Sequence, residues 1–499
     1  MRIAIITPNY PSEPIDGDFL TMSLEVTLGL KSEGHDVFVV TLSAEKEGEE
    51  NVGGVRVLRV KPNFDQYNGL AAVSDLSIFS YWLHCALLLY SAARQAVDEF
   101  KPEIVECHDF LGLGLPWICD RKYPVVIRMI GSLSEMMRNG SVAATDMARQ
   151  FSTAFEFATI GSASLAVSLC EDLPLIVRRM TGLPEDHFRV IRAPLSPPKN
   201  IPVRDTGTKD ICPYPEILFW GRVDPQKGCD LLVESLPTVA AEFPNFKATF
   251  VGSWQGDPLY FEKLTKRVQE MELTKNVEFT GLLPREQLVK LAVNSDLCVF
   301  PSQYEGACYA ALEAMSYGCC VIATKVGGLK EYVQHDVTGW HVPCGDHEAL
   351  GQAIVKLSHD DDLRSRLAQK AKTEILRVCD TKSAAQAAQE AYTEAIRRFS
   401  SATSSGTFNS IVSMLLDGLA DRSIFSYLND LQANVYQQGL QAGLEQCSAE
   451  IAGLKCELQK AREQLATSRS FKDRVRSRLG RIKRRLKEIA NTSRQDPSN

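Results

Sequence analysis

Two basic and two acidic side chains are spaced so that they could share one ligand. Arg222 and Lys227 stand in one stretch, Gly221-Arg222-Val223-Asp224-Pro225-Gln226-Lys227-Gly228, between a predicted strand at 217–220 and a predicted helix from 230. Two cations in a single strand-to-helix loop can both reach a diphosphate, because the N–H groups of a helix start already favour an anion there. Glu305 and Glu313 occupy the segment from Pro301 to Met315, directly after a predicted strand at 297–300. Glu305 falls in the loop and Glu313 about a turn or more into the helix that follows, so both can face one cleft. Gly306 lets the backbone come close to a ligand, and the N–H groups after it, near Ala307, Cys308 and Tyr309, point outward at the helix start. Taken singly, each pair also reads as solvated charge on a loop or on the polar side of an amphipathic helix. Taken as a set, they suit chemistry in which negative charge grows on a phosphorylated leaving group. Cations stabilise that charge, and carboxylates orient the hydroxyls of the reacting molecule.

The elements that must position them alternate. Up to residue 197, short β-rich runs at 3–7, 37–41, 55–60, 104–107, 125–129, 165–168 and 187–191 are interspersed with predicted helices at 19–32 and 76–99. This pattern predicts a parallel α/β sheet. Six prolines between 194 and 215 mark a linker. The alternation then restarts, with strands at 217–220, 248–251, 277–280, 297–300 and 321–323, each followed by a helix. Two open α/β sheets place a cleft between them, and ligands sit at the carboxyl ends of such strands. Residues 346–399 read as helical throughout, and the Ser/Thr-rich run 400–406 as a second linker. Beyond it Leu440, Leu444, Cys447, Ile451, Leu454, Leu458, Ala461 and Leu465 alternate spacings of four and three, the apolar seam of a coiled coil. Val475, Leu479, Ile482, Leu486 and Ile489 continue its register.

Composition narrows the class. The 499 residues carry a net charge of −7, yet 471–487 hold nine Lys/Arg against one Asp. The body is therefore acidic, and nucleic acid is not an expected partner. Two readings of the tail stay open: a homodimer through 426–489, or peripheral contact of the basic stretch 471–487 with an anionic membrane. The 14 cysteines form no C-x-x-C pair and read as reduced cytosolic thiols. His341, Cys344 and His347 imitate metal-ligand spacing but lie in a Gly/Pro-rich turn without an identifiable fourth ligand, and a plain loop is the better reading. The start, Arg2 to Pro8, has too short an apolar run for a signal peptide, and Ile78 to Ala93 is too short and interrupted to span a bilayer. The expected location is cytoplasmic, with the membrane face as the alternative.

Residues 219–340 resemble the donor-binding half of the large retaining glycosyltransferase family with the E-x7-E motif. The family's G-R-x-x-x-x-K-G loop is matched by Gly221 to Gly228, its P-S-x-x-E-G…E-A-M-x-x-G segment by Pro301 to Gly318, and its V-I-A-T-x-x-G-G-x-x-E by Val321 to Glu331. The likeness covers most of 1–400 and none of 401–499. It implies a GT-B fold: an N-terminal Rossmann-like acceptor domain at 1–197, rejoined by the helix near 383–399, faces a C-terminal Rossmann-like donor domain at 215–382. A linker and helical tail at 401–499 follow.

The resemblance also implies roles. Arg222 and Lys227 correspond to the diphosphate clamp, Glu313 to the carboxylate on the ribose hydroxyls, and Glu305 to the one on the transferred sugar. N–H groups near Ala307, Cys308 and Tyr309 would hold sugar or phosphate. His108, at a strand end in Val105-Glu106-Cys107-His108, would lie over the donor sugar. Gly17, in Asp16-Gly17-Asp18, would approach phosphate and acceptor. That string also spells a metal–nucleotide signature of a different fold, but the family needs no metal and no cofactor beyond its nucleotide-diphosphate sugar. Ala307-Cys308 stands where the family often has Phe-Gly, which leaves the donor open, and Ile191-Arg192-Ala193-Pro194 stands where an Asn-Gly turn is common, which implies a different inter-domain hinge. The implied reaction transfers a sugar, with retained configuration, to a saccharide or lipid-linked saccharide in polysaccharide synthesis. A sugar-nucleotide epimerase with the same fold and a catalytically weak scaffold acting through the coiled coil are the alternatives.

Overall fold

A computed structural model describes residues 1–11, 18–62, 77–131, 146–198, 200–202 and 214–401. The chain divides into two compact units, Met1–Asp421 and Arg422–Asn499. Gly17, the heptad seam and the basic stretch 471–487 lie outside the described residues.

The N-terminal lobe runs β1 (Arg2–Thr7), α1 (Asp18–Ser32), β2 (Asp36–Leu42), β3 (Gly48–Val52), β4 (Val55–Val60), α2 (Ser77–Phe100), β5 (Ile104–His108), α3 (Leu115–Asp120), β6 (Val125–Met129), α4 (Asp146–Ser162), β7 (Leu165–Ser168), α5 (Asp172–Thr181) and β8 (Phe188–Val190). Its sheet has the order β3-β4-β2-β1-β5-β6-β7-β8. All pairs are parallel except β3 with β4. Strands β5, β6 and β7 are buried at every position, as expected where helices cover both faces of a parallel sheet. The sequence reading omits β3, a polar edge strand that carries Glu49 and Glu50, charges that blunt an exposed edge.

The C-terminal lobe continues β9 (Glu216–Trp220), α6 (Cys229–Glu242), β10 (Lys247–Val251), α7 (Pro258–Glu270), β11 (Val277–Gly281), α8 (Arg285–Asn294), β12 (Leu297–Phe300), α9 (Tyr309–Tyr317), β13 (Val321–Thr324), α10 (Leu329–Tyr332), β14 (Trp340–Val342), α11 (His347–His359), α12 (Asp361–Val378) and α13 (Thr381–Ser401). Its sheet, β11-β10-β9-β12-β13-β14, is parallel throughout. His341 belongs to strand β14 rather than to a turn, and its Nε2 lies 3.4 Å from the carbonyl of Leu329. The stretch 346–399 is helical apart from short breaks, and it divides into three helices. Asp346, Asp360 and Asp380 each accept a backbone N–H three residues on, from Ala349, Leu363 and Ser383, all at 2.8 Å. Each thereby starts a new helix.

Helix α13 lies against α1, β6 and β7 of the first lobe. Its Tyr392 hydroxyl donates to Glu106 Oε2 at 2.6 Å, while Arg128 holds both oxygens of the same carboxylate at 2.7 and 2.8 Å. All three side chains are buried. Removing one member of such a buried pair strands the other, at a cost of about 3–5 kcal/mol. One apolar cluster runs from Ile3 and Met22 through Phe300 and Leu312 to Tyr392, so the two lobes share a core along α1, α9 and α13. Among the described residues, no helix is long and apolar enough to cross a membrane.

Candidate active site

The carboxyl ends of β9 and β12 lie close together because the strands are neighbours in one parallel sheet. The loop after β9 ends at Gly228, whose φ of +68° suits glycine and whose position leaves no room for a Cβ: one would fall 2.1 Å from the carbonyl of Pro301 in the loop after β12. This close approach seats the two loops on each other. Gln303 N–H donates to the Gln226 carbonyl at 2.7 Å, and the Gln226 amide donates to the Tyr304 carbonyl at 3.2 Å. The result brings Lys227 Nζ to 2.7 Å from Glu305 Oε1. Ser302 Oγ donates to the same oxygen at 2.9 Å. Lys227 and Glu305 are only 4% and 6% exposed, so neither is a solvated surface charge. Arg222 is different: its side chain is 49% exposed, 3.2 Å from Asp224 and 3.2 Å from Gln226 Oε1. Asp224 also caps the Lys227 N–H at 3.0 Å and so fixes the loop's shape.

Glu313 is likewise buried, at 4% exposure, on a helix whose nine residues are all buried. Its Oε1 accepts from Arg285 Nη2 at 2.6 Å, and the same nitrogen donates to the Tyr317 hydroxyl at 2.6 Å. Arg285 and Tyr317 are absent from the sequence reading. One signal for Arg285 was available: a cation at the first position of a helix opposes the positive end of its dipole, so it needs a nearby acid. Cys308, the cap residue before α9, has a φ of +57°. This is the left-handed backbone that glycine adopts freely and other residues rarely. The chain therefore keeps at Cys308 the backbone that glycine would supply, and Ala307, Cys308 and Tyr309 are all buried. The Tyr309 hydroxyl donates to the Pro194 carbonyl at 3.2 Å, which fastens α9 to the linker between the lobes.

The facing lobe meets this site at Gly306. A Cβ there would lie 1.9 Å from the Ile130 carbonyl just beyond β6, so the space beside Gly306 is filled by the other lobe. Ile130 N–H donates to Asp109 Oδ2 at 3.1 Å, and Asp109 follows His108 at the end of β5. Burial, and secondarily the charge of Glu156, raise the Asp109 carboxyl well above its ordinary range against the backbone N–H groups that donate to it. His108 is 1% exposed, and burial, helped by the charge of Arg128, pushes its pKa down to about 3. Its Nδ1 is 3.0 Å from Thr7 Oγ1. The Thr7 hydroxyl is also within hydrogen-bonding distance of the Asn9 carbonyl, at 2.9 Å, and of Ser23 Oγ, at 3.3 Å, so the imidazole is held on its Nδ1 side by a buried hydroxyl cluster.

A second contact between lobes, also beyond the sequence reading, centres on Glu331. Its carboxylate accepts the backbone N–H of Glu171 (3.0 Å) and Asp172 (3.1 Å) at the start of α5, and pairs with Arg192 Nη1 at 2.6 Å. Lys330 bonds Asp172, and the Tyr332 hydroxyl donates to the Leu169 carbonyl at 2.6 Å while accepting from Ala193 N at 3.0 Å. The turn containing Arg192 thus has its own anchor to the second lobe.

Two Rossmann-like lobes meeting at their strand ends, with a buried Lys–Glu pair and a half-buried Arg–Glu pair on the second, give the architecture of a GT-B protein. Residues 212–374 match the family model for glycosyl transferases group 1, and residues 21–194 that for the glycosyl transferase 4-like domain. The chain thus carries a domain of each of these two glycosyl transferase types, and it is an enzyme of the transferase class. It is 28% identical over 395 residues to an uncharacterized glycosyltransferase of Methanocaldococcus jannaschii, a match covering 75% of this chain and 93% of that one. It is 22% identical over 408 residues to a glycogen synthase of Mycobacterium tuberculosis, covering 80% and 95%. In fold it is similar to sucrose-phosphate synthase from Thermosynechococcus elongatus, with a TM-score of 0.61, 20% identity, and coverage of 79% and 98%. It is also similar to the Anabaena protein HepE in complex with UDP-glucose, with a TM-score of 0.59, 17% identity, and coverage of 78% and 99%.

Proposed function

We propose that the protein is a retaining glycosyltransferase that moves a sugar from a nucleoside-diphosphate donor to a saccharide or a lipid-linked saccharide. The observation that carries this reading is the buried Lys227–Glu305 pair, at 2.7 Å, beside Arg222 at the ends of β9 and β12. As the glycosidic bond breaks, charge grows on the diphosphate, and Lys227 and Arg222 are the cations that stabilise it. The N–H groups at the start of α9 add partial positive charge. Glu305 accepts from hydroxyls of the transferred sugar, and Glu313 from the ribose. His108, kept neutral by burial, hydrogen-bonds a sugar hydroxyl through its Nε2 side.

No side chain is placed as a covalent nucleophile in this reading. The leaving phosphate deprotonates the acceptor hydroxyl on the face it departs from, so the new bond forms on that same face. An oxocarbenium-like species lies between the two events. The neighbour HepE is described with UDP-glucose and a starch synthase with ADP and acarbose, which supports a nucleoside diphosphate in this crevice. The test is incubation with UDP-, ADP- and GDP-linked sugars without acceptor, followed by proton NMR of the freed sugar. Release of a nucleoside diphosphate with the donor's anomeric configuration first retained supports the reading. Release of the inverted anomer overturns the retaining mechanism, and no release from any donor by folded enzyme overturns the transferase assignment at this site.

A further inference from the structure

Glu313 sits in a setting that by itself opposes ionisation. It is buried, and a second carboxyl, Glu25 of α1, reaches toward it from the other lobe. Glu25 accepts hydrogen bonds from Ser196 of the linker, and its Oε2 has no hydrogen-bond partner among the described residues. Burial, the largest influence, holds the Glu25 carboxyl above the ordinary range against those hydrogen bonds. A carboxylate beside another carboxyl in a buried site stays charged only if a cation is fixed to it. Arg285 is that cation. It stands at the first position of α8, where the helix dipole disfavours it, and its guanidinium bridges Glu313 and Tyr317, residues one turn apart on α9.

The bridge has a direction. Arg285 Nη2 holds Oε1 of Glu313, and the Tyr317 hydroxyl holds the same nitrogen in place. A carboxylate has four acceptor sites, so a guanidinium held on Oε1 steers how the group is turned when it accepts from a ligand's hydroxyls. We propose that Arg285 is a positioning residue of the nucleotide subsite: through Glu313 it sets the recognition of the ribose hydroxyls without itself touching the ligand. This rests on the glycosyltransferase reading of the site. It makes discrimination between a ribonucleotide and a deoxyribonucleotide a property of three residues, Arg285, Tyr317 and Glu313.

Isothermal titration of the full chain with UDP, ADP and GDP identifies the tightest binder, which is then compared with its 2′-deoxy analogue. A hydrogen bond to a charged group corresponds to a preference of about tenfold to a hundredfold, so the wild type favours the ribonucleotide by roughly that ratio. In Arg285→Ala the ratio falls toward that of Glu313→Gln, while affinity for the deoxy analogue changes little. Arg285→Lys, which keeps the charge but loses the fork, restores part of the ratio. Equal loss of affinity for both nucleotides in Arg285→Ala, with the ratio preserved, would show that Arg285 touches the ligand itself and overturns the proposal alone. An unchanged ratio with unchanged affinity overturns it as well. Absence of binding by any of the three nucleotides to the wild type overturns the underlying reading and this proposal with it.

Discussion

Replacing Lys227 and Glu305 singly and together separates what the pair does for the fold from what it does for the ligand. The two groups are 2.7 Å apart and almost wholly buried. Lys227→Ala leaves the Glu305 carboxylate in place without the ammonium that pairs with it, while the Ser302 hydroxyl still donates to Oε1. Stranding one member of a buried ion pair costs about 3–5 kcal/mol of folding stability. The same substitution removes a charge-assisted contact to the diphosphate, of about 1.5–3 kcal/mol, or a tenfold to hundredfold weaker affinity. Glu305→Gln keeps the shape and removes the charge that holds Lys227. Its amide oxygen can still accept from Lys227, so its stability loss is smaller, and the lysine, no longer paired with a carboxylate, is freer to meet phosphate, so nucleoside-diphosphate affinity is retained or rises. Sugar transfer nevertheless falls by about a hundredfold, the scale of losing one electrostatic stabiliser. In the double variant, stability recovers toward wild type because no carboxylate is stranded, but affinity stays low. Urea unfolding and calorimetric titration with UDP, ADP and GDP read the two quantities independently. The reasoning is refuted if Glu305→Gln loses nucleotide affinity as severely as Lys227→Ala, or if the double variant is no more stable than Lys227→Ala.

Three further outcomes are expected. The native pKa of His108 is about 3, against an ordinary value of 6.5. The unfolded chain therefore binds a proton below pH 6.5 that the native state refuses, and His108's contribution is intact above that pH and lost as pH falls toward 3. This amounts to about 1.4 kcal/mol per pH unit. The raised carboxyl of Asp109 acts with the opposite sign, gaining stability as pH falls through its native pKa, but it is common to wild type and His108→Gln. The stability difference between those two proteins should thus shift against the wild type by about 2 kcal/mol between pH 6.5 and 5, and a constant difference in urea unfolding would contradict it. Glu331→Ala removes the acceptor shared by Arg192 and the first N–H groups of α5, and should cost about 1.5–3 kcal/mol in the same measurement. An unchanged midpoint would contradict that. Deleting 426–499 should convert a dimer to a monomer in light scattering if the heptad seam joins two copies. A full-length monomer that floats with anionic vesicles only when the tail is present would favour the membrane reading.

The sheet framework and the candidate site on it were readable because their parts are local. Strands at 125–129, 165–168 and 297–300 end where the apolar runs end, since each is buried on both faces and bracketed by polar or turn residues. Arg222, Lys227, Glu305 and Glu313 each follow such a strand, so spacing alone placed them near one edge. What escaped was non-local or weakly periodic. Arg285 is 28 residues from Glu313, and Arg192 is 139 from Glu331, separations that leave no pattern in either neighbourhood. Helix α5 opens with Asp172-Leu173-Pro174 and runs for only ten residues, and α4 mixes Ser, Thr and Gly into its apolar face. β14 spans three residues, too few for any alternation to register. Gly306 was read as making room for a ligand, whereas a close contact with Ile130 fills that side, a contact only the meeting of two lobes creates.

Crystals grown with whichever of UDP, ADP or GDP binds tightest give the most direct measurement. The diphosphate oxygens should lie within hydrogen-bonding distance, about 3 Å, of Lys227 and Arg222, with the ribose hydroxyls on Glu313 and the terminal phosphate facing the His108 side of the cleft. Density for the nucleotide elsewhere on the molecule, with the Lys227–Glu305 pair untouched, would contradict the account.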